Sequence, residues 1–177
     1  GDDLAVFDRN RNAAYEFCEA EYFMAYDNGK EVGRVAAIIN HKANEAWNVR
    51  QVRYGWIDFV DDINVSSALL EEVEKWGKER GMDSIAGPLG FTDFDPEGML
   101  VEGFDRLGTM AMIYNHEYYH KHLEKLGYEK ETDWLEFLIT IPDQLPEKHL
   151  RVADIVMKRN KLRIVKKTRR EINKEKY

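Results

Sequence analysis

The stretch 52–87, VRYGWIDFVDDINVSSALLEEVEKWGKERGMDSIAG, decides the fold. Its opening, VRYGWIDFV (52–60), is aromatic and β-branched, the composition of a strand. The period then changes. Val65, Ala68, Leu69, Val73 and Trp76 recur at helical spacing, with Glu71, Glu72, Glu74, Lys75 and Lys78 on the other side. This predicts a one-faced helix over 64–80, capped by Asn64 or Ser66 and closed by Gly81 in a left-handed C-cap. A short strand, 84–87, follows at once.

Outward from this unit the same grammar continues. Upstream, EYFMAYD (21–27) and EVGRVAAIIN (31–40) flank Asn28-Gly29-Lys30. Asn-Gly supplies the positive φ of a tight hairpin turn, so two antiparallel strands are predicted. Downstream, 115–126 reads as a helix capped by Gly127, and YEKETDWLEFLITI (128–141) as two strands divided at the charged break 130–133. Pro142 and Pro146 end the compact pattern. One more amphipathic helix is expected over 150–160, through Val152, Ile155 and Val156, and a short strand over 162–165. The plan is a mixed α/β fold of the α+β type. A central sheet of six or seven strands carries helices 64–80 and 115–126 on its faces. Residues 1–14 form a loosely tied arm, 15–142 the domain, and 143–177 a basic helix and strand.

Composition narrows the class. The chain has 177 residues, 44% hydrophobic, 33% charged and 12% aromatic, too rich in apolar residues for a disordered chain. It is enough for one ordinary domain. No apolar run approaches the roughly 20 residues that span a bilayer. The start, GDDLAVFDRN, does not read as a signal peptide, and Gly1 suggests a processed or engineered start. Cys18 is the only cysteine, which excludes an internal disulfide and a Cys-rich zinc site. It stands between Phe17 and Glu19 with no helix N-terminus or base evident beside it, so a buried structural thiol is expected rather than a nucleophile. A cytoplasmic protein is expected, with no membrane partner. Residues 148–177 hold 12 Lys and Arg against 3 Asp and Glu, a net +9; residues 1–147 therefore carry −16 of the overall −7. The acidic body argues against nucleic acid over most of the surface and leaves the basic tail as the one stretch suited to it, but a linker toward a further module, or a truncated end, is the stronger reading of that tail.

Two motifs invite metal. His116-Glu117-Tyr118-Tyr119-His120 spells H-E-x-x-H, but no third ligand is evident and 110–114 does not read as a helical lead-in. Asp93-Phe94-Asp95-Pro96-Glu97-Gly98 opens like a calcium loop, but Phe104 stands where its bidentate Glu belongs. No metal is expected at either. The same loop carries Asp93, Asp95, Glu97, Glu102 and Asp105, interleaved with Phe91, Phe94, Met99, Leu100, Val101 and Phe104. Carboxylates packed among apolar residues have raised pKa values, and can deprotonate an ammonium or hold a cation. Glu97 and Glu102 are the favoured bases.

The strand–helix–Gly–strand unit 56–87 and the helix-to-strand junction LEKLGYEK (123–130) resemble the GNAT acyltransferase superfamily. The loop GPLGFTDFDPEGMLVEGFD (87–105), followed by TMAMIYNHEYY (109–119), resembles a bacterial group in which two GNAT-like modules share one chain. The resemblance spans roughly residues 16–141. It implies a sheet split between its fourth and fifth strands, with an acyl-CoA (acetyl-CoA or a longer one) on one side and a small-molecule amine on the other. The backbone of Phe59, Val60, Asp61, Asp62 and Ile63 would meet the pantetheine. Glu97 or Glu102 would be the base, Tyr119 the acid, and Asp93, Asp95, Tyr114, Asn115 and Tyr118 would line the acceptor side. Asn115 also reads as a helix N-cap, and the tyrosines as core.

The sequence departs from the superfamily at two places. Its pyrophosphate loop is glycine-rich, so that amides close on phosphate; VDDINVS (60–66) has no glycine and two aspartates that repel one. The usual acid, a Tyr four residues before the helix-capping Gly, is here Leu123. Two functions follow: an acyl-CoA-dependent N-acyltransferase, or a non-catalytic GNAT-like module that binds a ligand or a partner. A homodimer, or a second GNAT-like module, is the expected partner for the tail.

Overall fold

The structure, a computed structural model, describes residues 3–109 and 112–166. The chain divides into two compact units, Gly1–Glu131 and Thr132–Tyr177.

The first unit is built on a four-stranded mixed sheet in the order β1-β2-β3-β4. β1 (Cys18–Asp27) and β2 (Lys30–Asn40) form the predicted hairpin, pairing from Cys18 opposite Asn40 to Asp27 opposite Lys30. Asn28 and Gly29 have φ of 48° and 82°, the left-handed pair that a two-residue turn requires. A short helix α2 (His41–Trp47), capped by Asn40, leads to β3 (Gln51–Phe59), antiparallel to β2. Helix α3 (Ile63–Glu79) then crosses over to β4 (Ser84–Ala86), which lies parallel to β3. Asp62, not Asn64 or Ser66, caps α3, accepting the Asn64 N–H at 2.9 Å. Gly81 has φ of 78° at its far end, as expected.

Residues 35–40 of β2 are all buried, because this strand has apolar cover on both faces. On one face Val35, Ala37, Ile39, Val52, Tyr54 and Phe59 pack against Leu69, Leu70, Val73 and Trp76 of α3 and Tyr119 of α4 (Tyr118–Lys125). On the other, Cys18, Ala20, Ala36 and Ile38 pack against Ala14 and Phe91. Val6 of α1 (Asp3–Val6), Phe7 and the 3₁₀ turn Ala13–Glu16 complete that side. Helices thus lie on both faces, but α3 and α4 share one core. The expected loose arm is anchored: the Phe7 ring packs on Tyr22 and Trp56, and Arg9 Nη2 donates to Ala20 O at 3.0 Å. Burial pushes the Cys18 thiol up to about 11, in keeping with a structural thiol.

Three expectations are corrected. Among the described residues the sheet has four strands, not six or seven. No strand forms over 128–141, where Leu135, Phe137, Leu138, Ile139 and Ile141 are exposed, nor over 162–165. Composition marks a segment that favours extension, but a strand exists only where a neighbouring edge takes its hydrogen bonds. Helix α4 begins at Tyr118 rather than at 115, because Asn115 is engaged elsewhere. The second unit contains α5 (Glu147–Arg159), close to the predicted helix, and α5 buries none of its residues.

Candidate functional site

The site begins where β3 parts from β4. Their parallel pairing covers Gln51–Arg53 against Ser84–Ala86, and Leu89 N–H extends it to Tyr54 O at 2.8 Å. The approach is close: a Cβ on Gly55 would lie 2.4 Å from Leu89 O. Then β3 bulges. Gly55 pairs with Ala36 and Asp58 with Arg34, so Trp56 and Ile57 together oppose Val35, and Trp56 takes a φ of 46°. Beyond the bulge two hydroxyls stand in for a neighbouring strand. Phe59 N–H donates to Tyr119 Oη at 3.3 Å, and Tyr118 Oη donates to Phe59 O at 2.6 Å. The Tyr119 hydroxyl also donates to Asp58 Oδ1. Its ring stacks on Phe59 at 4.3 Å between centroids. Burial, with the Asp58 hydrogen bond next, holds the Tyr119 phenol above its ordinary range; burial does the same for Tyr118.

The expected donor-binding segment lies directly beneath. Phe59 is buried with both backbone groups taken; Val60 and Ile63 are partly exposed. Asp62 is the helix cap. Asp61 Oδ1 pairs with His122 Nε2 at 3.0 Å, and His122 Nδ1 meets Ser66 Oγ at 2.9 Å. This is a Ser–His–Asp sequence of contacts, but Ser66 is fully buried and donates to Ile63 O at 3.1 Å. A nucleophile needs access, so the chain of contacts is a clamp joining α3 to α4. Sequence reading missed it. The available signal was His122 three residues after Tyr119, one helical turn along the buried face. The Phe59 amide is taken by Tyr119, and the Asp61 and Asp62 carboxylates oppose a phosphate at this segment.

The loop that follows β4 holds the remaining candidates. Glu97 is half-buried. Burial, and then the Asp93 carboxylate, hold its carboxyl above the ordinary range against the opposing pull of Arg53. Asp93 is exposed close by. Asp95 is a turn residue whose Oδ2 accepts from Thr92 N–H at 2.9 Å. Glu102 is exposed and makes no hydrogen bond among the described residues. Asn115 is not a cap: its Oδ1 accepts from Leu100 N–H at 2.7 Å and its Nδ2 donates to Leu100 O at 3.1 Å, pinning the loop. Tyr114 is exposed and donates to Phe104 O at 3.2 Å. His116 precedes α4, so His116 and His120 do not share one helical face. Among the described residues no three His, Cys, Asp or Glu side chains converge as a metal site.

Fold and site together define a mixed α/β domain with an opened sheet edge and a carboxylate-bearing loop beside it. The chain is 36% identical to Protein YghO of Escherichia coli (strain K12) over 107 residues, which are 60% of this chain and 27% of that protein. It is 28% identical to a bacterial ceramide synthase of Caulobacter vibrioides (strain NA1000 / CB15N) over 137 residues, 77% of this chain and 36% of that protein. The chain thus spans about a third of the length of these curated relatives or less. No family model matches it, and no solved structure does.

Proposed function

We propose that this domain takes part in N-acyl transfer from an acyl-CoA to a small-molecule amine, in the manner of a GNAT-like module. The similarity to a bacterial ceramide synthase carries the reading, since ceramides are amides of long-chain amines. Glu97 is the proposed base. An acceptor amine is an ammonium at neutral pH, and must lose a proton before it can attack. A half-buried carboxyl with a raised pKa accepts that proton more readily than an ordinary one. Tyr119 is kept as the proposed acid on position alone: its hydroxyl lies at the opened edge, and burial keeps its proton on. No residue is assigned to the donor's phosphates.

The pH dependence follows from the sign of the Glu97 shift. The base works deprotonated, so the rate rises as pH climbs through a value above the ordinary carboxylate range. Glu97→Gln removes that limb and lowers the rate by about 10²–10⁴-fold, the usual share of a general base. The measurement is acyl transfer to a panel of amines, followed across pH.

The engaged hydroxyls and the missing glycines favour a second reading, a non-catalytic module that binds a ligand or a partner. Calorimetry with acetyl-CoA and longer acyl-CoAs separates the two. Saturable binding supports the transferase; no heat with any of them supports the binding module.

A further inference from the structure

Arg53 forms no ion pair among the described residues, although its charge pulls on the Glu97 carboxyl in the loop above it. It sits in β3 between Val52 and Tyr54, and strand alternation turns it to the face occupied by Cys18 and Phe91. It is 4% exposed, yet its only hydrogen bond among the described residues runs from Nη1 to Gly90 O, at 3.1 Å. No carboxylate of the described residues forms an ion pair with it. A guanidinium stays charged at any ordinary pH. A buried charge normally has a partner, because losing its water costs several kcal/mol (about that per ion) when nothing replaces it.

The unpaired guanidinium borders a depression of about 320 Å³, lined also by Asn40, Thr92, Asp93, Trp47 and Phe94. The polar side chains of the floor are already committed. Asn40 Nδ2 donates to Phe91 O at 2.8 Å and its Oδ1 accepts from Ala43 N–H at 2.9 Å, while Thr92 Oγ1 contacts Asp95. They fix the walls and leave Arg53 as the donor with capacity to spare. At the mouth, Trp47 is 64% and Phe94 100% exposed, two rings that bury little area of their own. A buried fork of N–H donors below two exposed aromatic rings is complementary to an anion on a flat or apolar body.

We propose that Arg53 anchors a binding site for a small ligand carrying a phosphate or carboxylate, whose apolar part lies against Trp47 and Phe94. Asp93 on the same rim weakens the site for a purely anionic ligand. The proposal stands independently of acyl transfer, since it concerns binding without any acyl donor.

Calorimetry on the full chain tests it with four probes: phenyl phosphate, 3-phenylpropionate, inorganic phosphate and neutral benzyl alcohol. The expected result is saturable binding of phenyl phosphate or 3-phenylpropionate, with weaker binding of inorganic phosphate and none of the alcohol. A preference between the first two says whether phosphate or carboxylate is the natural group. Arg53→Gln weakens the anionic probes at least tenfold, and Asp93→Asn tightens them. Equal binding of the alcohol, undiminished binding by Arg53→Gln, or no saturable binding of any anion overturns the site. Should Arg53→Gln not fold, the Arg53 Nε–H resonance of the wild-type protein decides. It shifts with the anion if the site is real and stays in place if it is not.

Discussion

Buried polar side chains decide the local chemistry of this domain. His122 is 4% exposed and Ser66 is fully buried, and the contact between them joins two hydrogen bonds, Ser66 to Ile63 O and His122 to Asp61, into one chain. His122→Ala leaves a cavity and removes the partners of Ser66 and Asp61; it is expected to cost about 2–4 kcal/mol in urea unfolding. Asp61→Asn, at an exposed position, costs under about 1 kcal/mol in the same measurement. A reversed order would mean that the clamp is held from its solvent end. Glu97 sets a pH dependence of its own. A carboxyl whose folded pKa is raised contributes stability that is present below the ordinary carboxylate range and lost as pH rises through the raised value. Glu97→Gln removes that decline, and the melting temperatures of the two proteins should draw apart in its favour on the alkaline side. At this scale the sequence was partly legible. Glu97 could be named because carboxylates among phenylalanines are desolvated wherever the loop packs. Arg53 could not, because a charged residue inside an alternating strand reads as a solvent-facing position. Only the cover on both faces of the sheet makes it buried.

The elements that formed as expected carry their own instructions. Asn28-Gly29 makes the hairpin, and the apolar stripe of α3 with Gly81 behind it makes the helix; both signals are local. The opened edge of β3 has no local signal. It depends on the bulge at Trp56 and on contacts between residues about sixty positions apart, such as Tyr119 with Phe59. The same holds for 128–141, whose composition favours extension but whose partner strand the sequence cannot name. Gly55 is the element-scale test. Its missing Cβ lets Leu89 O approach, and the obstacle to a side chain is backbone rather than a mobile group. Gly55→Ala should destabilise the domain by about 1–3 kcal/mol or more, by forcing β3 and the loop after β4 apart. Chemical denaturation measures it; a neutral result would show that the strand and loop can separate freely, and the site built on their approach would lose its rigidity.

At the scale of the whole chain, none of the described residues 132–166 is buried. In α5, Val152, Ile155 and Val156 lie on one amphipathic face and are each 43–54% exposed, and Leu138 and Ile139 before it are 95% and 79% exposed. Apolar stretches of this length mark a surface that another surface covers. We propose that the cover is a second copy of this chain. The net charge of +9 over residues 148–177 against −16 over residues 1–147 is the complementarity that argues for this cover. Light scattering should therefore report a dimer at low ionic strength that weakens as salt screens the charges over roughly 10 Å at 0.1 M. The double substitution Val152→Glu with Ile155→Glu should give a monomer of unchanged melting temperature, because α5 buries none of its residues and loses no internal packing. A wild-type chain that is monomeric at low salt removes the dimer. A substituted chain that unfolds instead shows that this face packs within its own copy.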